Sequence, residues 1–304
     1  MTTLLKNVAI VGASGNVGQI ILRALLDASD FKVTVLTRTS SNATFPPGTN
    51  VRKTDFSSAD LHDALKGQDA LVSAVGATGF GEQKKLIDAA IQAGVKRFFP
   101  SEFSSDAQNE VVLGLLPLFN QKKEVVDYLK SKESDSFTWT GLATSVLLDW
   151  GLANGFLGYD IASRTATIWD GGNSRFTATN EKQLGDAVVS VLQRPQATAN
   201  QYLYISSVET SQNEILAALE QATSPSWTVT RTTTDAEVSE GTRKLGEGDF
   251  SGALALVRAT SFGDLSGLGA NYAKDRVLAN ELLGLKGESI RETVERVVSA
   301  VTSK

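Results

Sequence analysis

A glycine-rich turn near the amino terminus is the feature that most constrains the fold of this chain. Gly12, Gly15 and Gly18 follow a β-branched segment and precede an apolar helical pattern, with the spacing G-x-x-G-x-x-G. Gly12 permits a tight turn, Gly15 lets the backbone approach a ligand, and Gly18 lets the helix pack closely on the sheet. Free amides at the start of such a helix are suited to a pyrophosphate. The sequence therefore predicts a dinucleotide site that contacts Gly12, Ala13, Ser14, Gly15, Asn16, Val17 and Gly18.

The residue at the end of the second predicted strand distinguishes between the two nicotinamide dinucleotides. Arg38 stands where an acid would accept from the adenosine ribose if the cofactor were NAD(H). A guanidinium suits a 2′-phosphate instead, and Thr37 can add a hydroxyl donor. We therefore predict NADP(H), with a solvated arginine at a strand end as the alternative. Asp55, beyond the third strand, is expected either beside the adenine or in a turn.

The first half of the chain alternates short β-branched runs with helical patterns, which is typical of a parallel sheet covered by helices on both faces. The predicted strands are 7–11, 32–37, 51–53, 70–75, 97–100, 137–142 and 202–205, and the main predicted helices are 19–26, 60–65, 83–93, 118–129 and 181–192. We expect an α/β fold with a doubly wound parallel sheet, a Rossmann domain, over residues 1–150. A smaller, interleaved substrate-binding region is expected over 151–304, and parts of it near 181–206 would return to the main sheet.

Composition excludes several classes of protein. The 304-residue chain has a net charge of −5, no cysteine, and a single histidine, His62. Disulfides, thiolate nucleophiles and cysteine- or histidine-rich metal sites are therefore excluded, and the acidic balance does not favour nucleic acid. No apolar run reaches the roughly 18 residues that cross a bilayer, and no secretory signal pattern precedes the first strand. We expect a cytoplasmic monomer or homodimer that binds neither nucleic acid nor a membrane.

A lysine lies within the apolar face of the helix predicted over 118–129. On a helical wheel that face comprises Leu118, Phe119, Val125, Val126 and Leu129. Lys122 lies close to its centre, and burying an ammonium costs several kcal/mol unless it is paired or neutralised. The position indicates either a catalytic lysine or one whose stem follows the apolar face to water. The helix starts from the carboxyl edge of the sheet, where ligands bind, which favours catalysis.

The same helix carries a second candidate pair. Tyr128 and Lys132 have the Y-x-x-x-K spacing of many short-chain dehydrogenases. They lie about 9 to 15 Å further along the helix axis than Lys122, toward the opposite edge of the sheet. We therefore reject them as the active site.

Taken together, the motifs resemble those of the NmrA-like, isoflavone-reductase-like branch of the atypical short-chain dehydrogenases, and of its fungal members most. The matching segments are 12–18, Arg38, 96–103, 119–122, 176–177, Asp186 and 202–206. The resemblance extends to about residue 220. Its most specific part is the Pro-Ser-Glu-Phe segment at 100–103.

This resemblance implies site residues and an activity. Relatives in that family reduce phenolic compounds such as isoflavones and benzylic ethers with NADPH, and their catalytic lysine maps onto Lys122. The segments that would line the nicotinamide are Val75-Gly76-Ala77 and Ser101 to Phe103, with Phe103 against the ring. Three departures stand out: Ser104 replaces the usual glycine, no lysine lies between Arg38 and Val51, and Val126 replaces a basic residue of the plant reductases. The last departure argues against a plant-type substrate.

The leading functional hypothesis is an NADPH-dependent reductase acting on a small aromatic or conjugated substrate, with Lys122 donating or relaying the proton. Candidate pocket walls, with core packing as the alternative, are Trp150, Phe156, Tyr159 and Trp169. A second hypothesis is a non-catalytic NADP(H)-sensing regulator that binds a protein partner. A third keeps the fold and cofactor for an isomerisation or dehydration with Lys122 as base.

Overall fold

The computed structural model describes residues 5–223 and 226–303. Its strands are β1 (Asn7–Val11), β2 (Lys32–Arg38), β3 (Asn50–Thr54), β4 (Ala70–Ser73), β5 (Arg97–Phe99), β6 (Thr138–Ala143), β7 (Val146–Leu147), β8 (Tyr159–Asp160), β9 (Thr165–Trp169), β10 (Arg175–Thr179), β11 (Gln201–Tyr204), β12 (Val208–Ser211) and β13 (Thr228–Thr232). Its α-helices are α1 (Asn16–Asp27), α2 (Ser58–Leu65), α3 (Gln83–Gln92), α4 (Glu110–Leu115), α5 (Asn120–Ser131), α6 (Leu148–Ala153), α7 (Glu181–Gln193), α8 (Gln212–Ala222), α9 (Thr234–Gly246), α10 (Ser251–Phe262), α11 (Tyr272–Asp275), α12 (Asn280–Leu283) and α13 (Ile290–Thr302). Short 3₁₀ turns lie at Ala77–Gly79, Pro117–Phe119 and Asp170–Gly172.

The chain forms two compact units, each built from separate stretches of sequence. The first unit comprises the chain up to Phe103, Asn120–Leu142 and Leu184–Leu203. The second comprises Ser104–Phe119, Ala143–Gln183 and the chain from Tyr204 onward. The cofactor and substrate roles predicted for residues 1–150 and 151–304 stay proposals.

A seven-stranded parallel sheet organises the first unit, in the order β11-β6-β5-β4-β1-β2-β3. β1 lies between β2 and β4, with Ile10 opposite Val35 on one side and Val72 on the other. The strand order therefore reverses beside β1, and this is where open α/β sheets bind ligands. All residues of β4 and nearly all of β1 are buried, because helices cover both faces of a parallel sheet. The predicted doubly wound Rossmann fold is confirmed.

The apolar face predicted for the helix over 118–129 is buried at three of its five positions on α5 itself, and one of the five is exposed. In α5 the buried residues include Val125, Val126 and Leu129, but Leu118 is 41% exposed. The prediction for Leu118 was wrong because α5 begins at Asn120 and Leu118 lies in the preceding 3₁₀ turn, Pro117–Phe119. A 3₁₀ turn advances about 120° per residue rather than 100°, so the wheel does not apply there.

The second unit contains two small sheets and a separate core. The strand orders are β12-β10-β7 and β13-β9-β8. Tyr159 and Trp169 are buried in the core of this unit, and the Tyr159 hydroxyl donates to the carbonyl of Gln212 at 2.8 Å. Both aromatics are therefore core residues, the alternative that the sequence left open. Trp150 and Phe156 are half-buried, with ring centroids 5.5 Å apart.

Within the described ranges 5–223 and 226–303, no helix has the length and apolar composition needed to cross a membrane.

Candidate functional site

The turn after β1 requires glycine at two of its three glycine positions. Gly12 has a φ of +84°, and a Cβ there would lie 2.3 Å from the carbonyl oxygen of Ala74. A Cβ at Gly18 would lie 2.1 Å from the carbonyl oxygen of Gly12. Gly15 is less constrained, because the nearest atom to its Cβ position is 3.4 Å away. Gly12 therefore lets the turn pack against the backbone that follows β4. Gly18 lets the first turn of α1 pack against the carbonyl of Gly12.

The start of α1 is suited to an anion. Its N-cap is Gly15, which has no side chain to accept from the free amides, and its first turn contains no acidic residue. The Gln19 side chain donates to the carbonyl of Ser14 at 2.9 Å and braces the turn. The amide donors and the positive end of the helix dipole therefore remain available to a phosphate group.

A cleft of about 500 Å³ begins at this turn and follows the carboxyl ends of β1, β2 and β4. The predicted site residues that line it are Gly12, Ala13, Ser14, Gly15, Thr37, Arg38, Asp55, Val75 and Gly76. The predicted site residues outside its lining are Asn16, Val17, Gly18, Ala77, Ser101, Phe103 and Lys122. Further lining residues, which no motif marks, include Phe45, Glu82 and Lys85.

Polar groups cluster at the β2 end of the cleft. Arg38 is exposed there, and Lys53, which pairs with Thr37 across the sheet, donates from Nζ to the carbonyl of Thr39 at 3.3 Å. Lys53 thus brings a second cation to the segment that follows β2, although the sequence has no lysine between Arg38 and Val51. The sequence gives no sign of this role for Lys53, because only the pairing of β2 with β3 brings it there.

Asp55 combines the two alternatives that the sequence left open. Its carboxylate accepts from the amide of Ser57 at 2.7 Å, so it forms a turn before α2. This hydrogen bond also holds the pKa of Asp55 below its usual value. Because the same residue lines the cleft, its turn role and a ligand contact are compatible.

Lys122 is buried, with 3% of its surface exposed. Its Nζ lies 3.4 Å from the carbonyl oxygen of Glu102 and 4.7 Å from the centre of the Phe80 ring. Burial lowers the pKa of Lys122 to about 8, and the charge of Glu102 opposes that fall. The alternative in which its stem follows the helix to water is therefore wrong. An amine with this pKa can hold and transfer a proton near neutral pH.

The loop after β5 connects the surroundings of Lys122 to the cleft. The Ser101 hydroxyl donates to the carbonyl of Val75 at 2.8 Å, and the Ser101 amide donates to Oε1 of Gln83, also at 2.8 Å. Val75 lines the cleft, so the loops after β4 and β5 meet at its edge. Phe103, at the end of the β5 loop, is buried.

A buried carboxylate lies in the same loop. Glu102 is fully buried, and its Oε2 accepts from the Tyr202 hydroxyl at 2.9 Å. Gly141 leaves room for this tyrosine, because a Cβ there would lie 2.9 Å from the Tyr202 ring. Glu102 lies within the segment expected to line the nicotinamide, although the sequence gives its side chain no role of its own, and Tyr202 lies in a matched segment with no predicted site role. Phe80 carried no sequence signal.

Tyr128 and Lys132, the residues of the Y-x-x-x-K pair, make contacts away from the cleft. The Tyr128 hydroxyl donates to Asp88 at 2.6 Å, and Lys132 Nζ lies 4.9 Å from the centre of the Tyr128 ring. Neither residue lines the cleft. In the described part of the chain, no group of three or more His, Cys, Asp or Glu side chains could hold a metal ion.

A Rossmann sheet with a glycine turn after its first strand, a cleft along the strand ends and a buried lysine beside it is the arrangement of a nucleotide-binding α/β protein. The model of the NmrA-like family matches residues 5–241. The chain belongs to the NmrA-like family.

Similar proteins carry oxidoreductase and reductase names. A protein of Aspergillus flavus called oxidoreductase aprR is 36% identical over 96% of this chain and 98% of its own length. An isoflavone reductase homolog of Solanum tuberosum is 30% identical over 66% of this chain and 68% of its own. A solved structure of AtPrR2 with NADP+ and (+)pinoresinol matches 98% of this chain and all of its own, with a TM-score of 0.78 and 21% identity. The structural match supports the fold.

Proposed function

We propose that this protein is an NADPH-dependent oxidoreductase that reduces a small aromatic or conjugated compound, with Lys122 as the proton donor or relay. The observation that carries the proposal is the buried amine of Lys122, with a pKa near 8, beside the loops that border the cleft. The oxidoreductase and reductase names of the relatives support the reaction class. The pinoresinol complex of a protein with the same fold supports an aromatic ligand.

The cleft fits NADP(H). A Cβ at Gly12 or Gly18 would strike backbone, so the turn keeps the close approach that a pyrophosphate needs. We propose that the pyrophosphate meets the free amides at the start of α1, and that Arg38, with Thr37 and Lys53, meets the 2′-phosphate. By the family resemblance, Val75, Gly76, Ala77, Ser101 and Phe103 would border the nicotinamide.

When bound, NADPH supplies the hydride. Lys122 holds the proton on Nζ, and a pKa of about 8 leaves most of its amines protonated at neutral pH. Its proton would pass to the substrate oxygen on which negative charge develops. Lys122 is buried and its ammonium lies over the Phe80 ring, so water has little access to it. The chain thus offers a proton of suitable acidity in a dry setting.

A test compares Lys122→Met with Lys123→Met. Purified proteins are mixed with NADPH and a panel of isoflavones, aryl enones and phenolic benzylic ethers that includes (+)-pinoresinol, and NADPH loss and products are followed. We expect Lys122→Met to lower turnover by about 10² to 10⁴-fold. Lys123 pairs with Asp127 at the helix surface, so Lys123→Met should keep turnover within about twofold.

Calorimetric measurement of NADPH affinity shows whether a variant has lost catalysis or cofactor binding. NADPH should bind wild type and Lys122→Met with affinities within about threefold, and should bind more tightly than NADH. Full turnover in Lys122→Met would refute the mechanism. Cofactor binding without consumption across the panel would favour a regulator, and a rearranged product without net NADPH loss would favour an isomerase.

A further inference from the structure

Glu102 is a buried acid in contact with the proposed proton donor. Its backbone is fixed by a hydrogen bond from its amide to the carbonyl of Pro100 at 2.8 Å. Its carbonyl oxygen lies 3.4 Å from Lys122 Nζ, and its side chain is fully buried. A carboxylate is rarely buried this completely unless it is paired or hydrogen bonded.

Tyr202 fixes the direction of this carboxylate. Its hydroxyl donates to Glu102 Oε2 at 2.9 Å, from the edge strand β11. Gly141 on the neighbouring strand β6 makes the space for the tyrosine ring. Three separate parts of the first unit, the β5 loop, β6 and β11, therefore combine to hold the carboxylate of the residue whose carbonyl oxygen contacts Lys122.

Most other titratable groups on α3 and α5 have partners away from Lys122, and Lys85 of α3 lines the cleft. These pairs are Lys84 with Glu124 at 2.9 Å, Lys123 with Asp127 at 3.3 Å, and Tyr128 with Asp88 at 2.6 Å. Glu82, at the start of α3, lines the cleft. The charge that acts on Lys122 is that of Glu102, and it favours the protonated amine.

We propose that Glu102, held by Tyr202, is a positioning residue that keeps the Lys122 amino group protonated for delivery to the substrate. This inference rests on the proposed function of Lys122. Burial alone drives a lysine toward its neutral form, which has no proton to donate. The carboxylate opposes that effect, so Lys122 remains an acid at neutral pH while its surroundings stay dry.

The direct test is an NMR titration of ε-¹³C-labelled lysines in the full-length protein, with the Lys122 signal assigned by its loss in Lys122→Met. Glu102→Gln keeps the size of the side chain and an acceptor for Tyr202. We expect it to lower the pKa of Lys122 by about one pH unit or more. The alkaline limit of turnover should move to lower pH by the same amount, because the protonated amine is lost earlier.

Two further variants control the test. Glu124→Gln removes an exposed carboxylate two residues from Lys122 on the same helix, and should leave both the Lys122 pKa and the pH profile unchanged. Glu102→Asp keeps the charge, so it should hold the Lys122 pKa above that of Glu102→Gln. Glu102→Asp thus distinguishes an effect of lost charge from an effect of misfolding. Circular dichroism checks that both Glu102 variants are folded.

The outcomes separate this inference from the proposed function. An unchanged Lys122 pKa in folded Glu102→Gln would overturn the role of Glu102, even if turnover still required Lys122. A lowered pKa together with turnover that survives Lys122→Met would support the coupling of the two groups and refute the proposed function. A lowered pKa with a matching shift in the pH profile supports both.

Discussion

Arg97 and Lys122 are both buried cations of the first unit, and their surroundings differ in kind. Arg97 is the first residue of β5 and is 2% exposed. Lys122 lies beside the loop that follows the other end of the same strand and is 3% exposed. The two side chains are equally buried, so burial alone does not distinguish a structural cation from a catalytic one. Their hydrogen-bond partners make that distinction.

Arg97 is bonded along its whole guanidinium. It donates to the hydroxyls of Thr138 at 2.8 Å, Thr140 at 2.9 Å and Thr198 at 3.1 Å, and also to the carbonyl of Pro195. Burial lowers the pKa of Arg97 only to about 10, so it stays charged at neutral pH. Its donors join β5 and β6 to the segment after α7. Arg97 therefore stabilises the fold by joining these segments, whereas Lys122 has a pKa in the range where proton transfer is useful.

The largest effect on stability is expected from Arg97→Met. This change leaves buried oxygen acceptors without their donor, so we expect the free energy of unfolding to fall by about 2 to 4 kcal/mol. Urea unfolding at pH 7 measures it. Lys96→Met is the matched control, because Lys96 is partly exposed and pairs with Asp69 at 2.8 Å, and its loss should cost about 0 to 1 kcal/mol. If the free energy of unfolding fell equally in the two variants, Arg97 would have no special structural role.

Lys122→Met is expected to change stability in the opposite direction. The pKa of Lys122 is about 8 in the folded protein and 10.5 in an unfolded chain, so below about pH 8 the folded state carries a buried charge at a cost. Methionine removes that charge, and we expect the free energy of unfolding at pH 7 to rise by about 1 to 3 kcal/mol. The shift in pKa already contains the attraction of Glu102.

The pH dependence supplies the check on this prediction. Between pH 8 and 10.5 the unfolded wild-type chain binds more protons than the folded one, so wild-type stability rises with pH across that window. The advantage of Lys122→Met should therefore shrink as the pH increases. Destabilisation at pH 7 would mean that Lys122, like Arg97, serves the fold.

Local sequence patterns predicted the parts of the site that lie within one βα unit or one helix. The turn at Gly12 and Gly18 was predictable because strand, turn and helix follow one another directly. Lys122 was predictable because its apolar neighbours share its helix face. Leu118 was mispredicted because a 3₁₀ turn precedes that helix, and nothing in the apolar pattern distinguishes the two.

Contacts between distant segments could not be predicted in the same way. Tyr202 reaches Glu102 across 100 residues of sequence, and Arg97 reaches Thr198 across 101. Both contacts depend on the order of the sheet, in which β11 follows β6 at the edge. A glutamate in a loop is expected to be exposed, and nothing local in the sequence around Glu102 indicates otherwise. Only the folded chain shows that it is buried.

The smallest effects are expected from Tyr128→Phe and Lys132→Met. Loss of the hydrogen bond to Asp88 should lower the free energy of unfolding by at most about 1 kcal/mol. Turnover in both variants should stay within about twofold of wild type, because Tyr128 donates to Asp88 and Lys132 lies over the Tyr128 ring, whereas Lys122 contacts the β5 loop that borders the cleft. Tyr128 lies on the same helix as Lys122 and Lys132 follows directly after it, so these variants separate a general dependence on α5 from a specific dependence on one amine. A loss of turnover as large as that expected for Lys122→Met would move the active site to the Y-x-x-x-K pair and make Lys122 a buried structural cation.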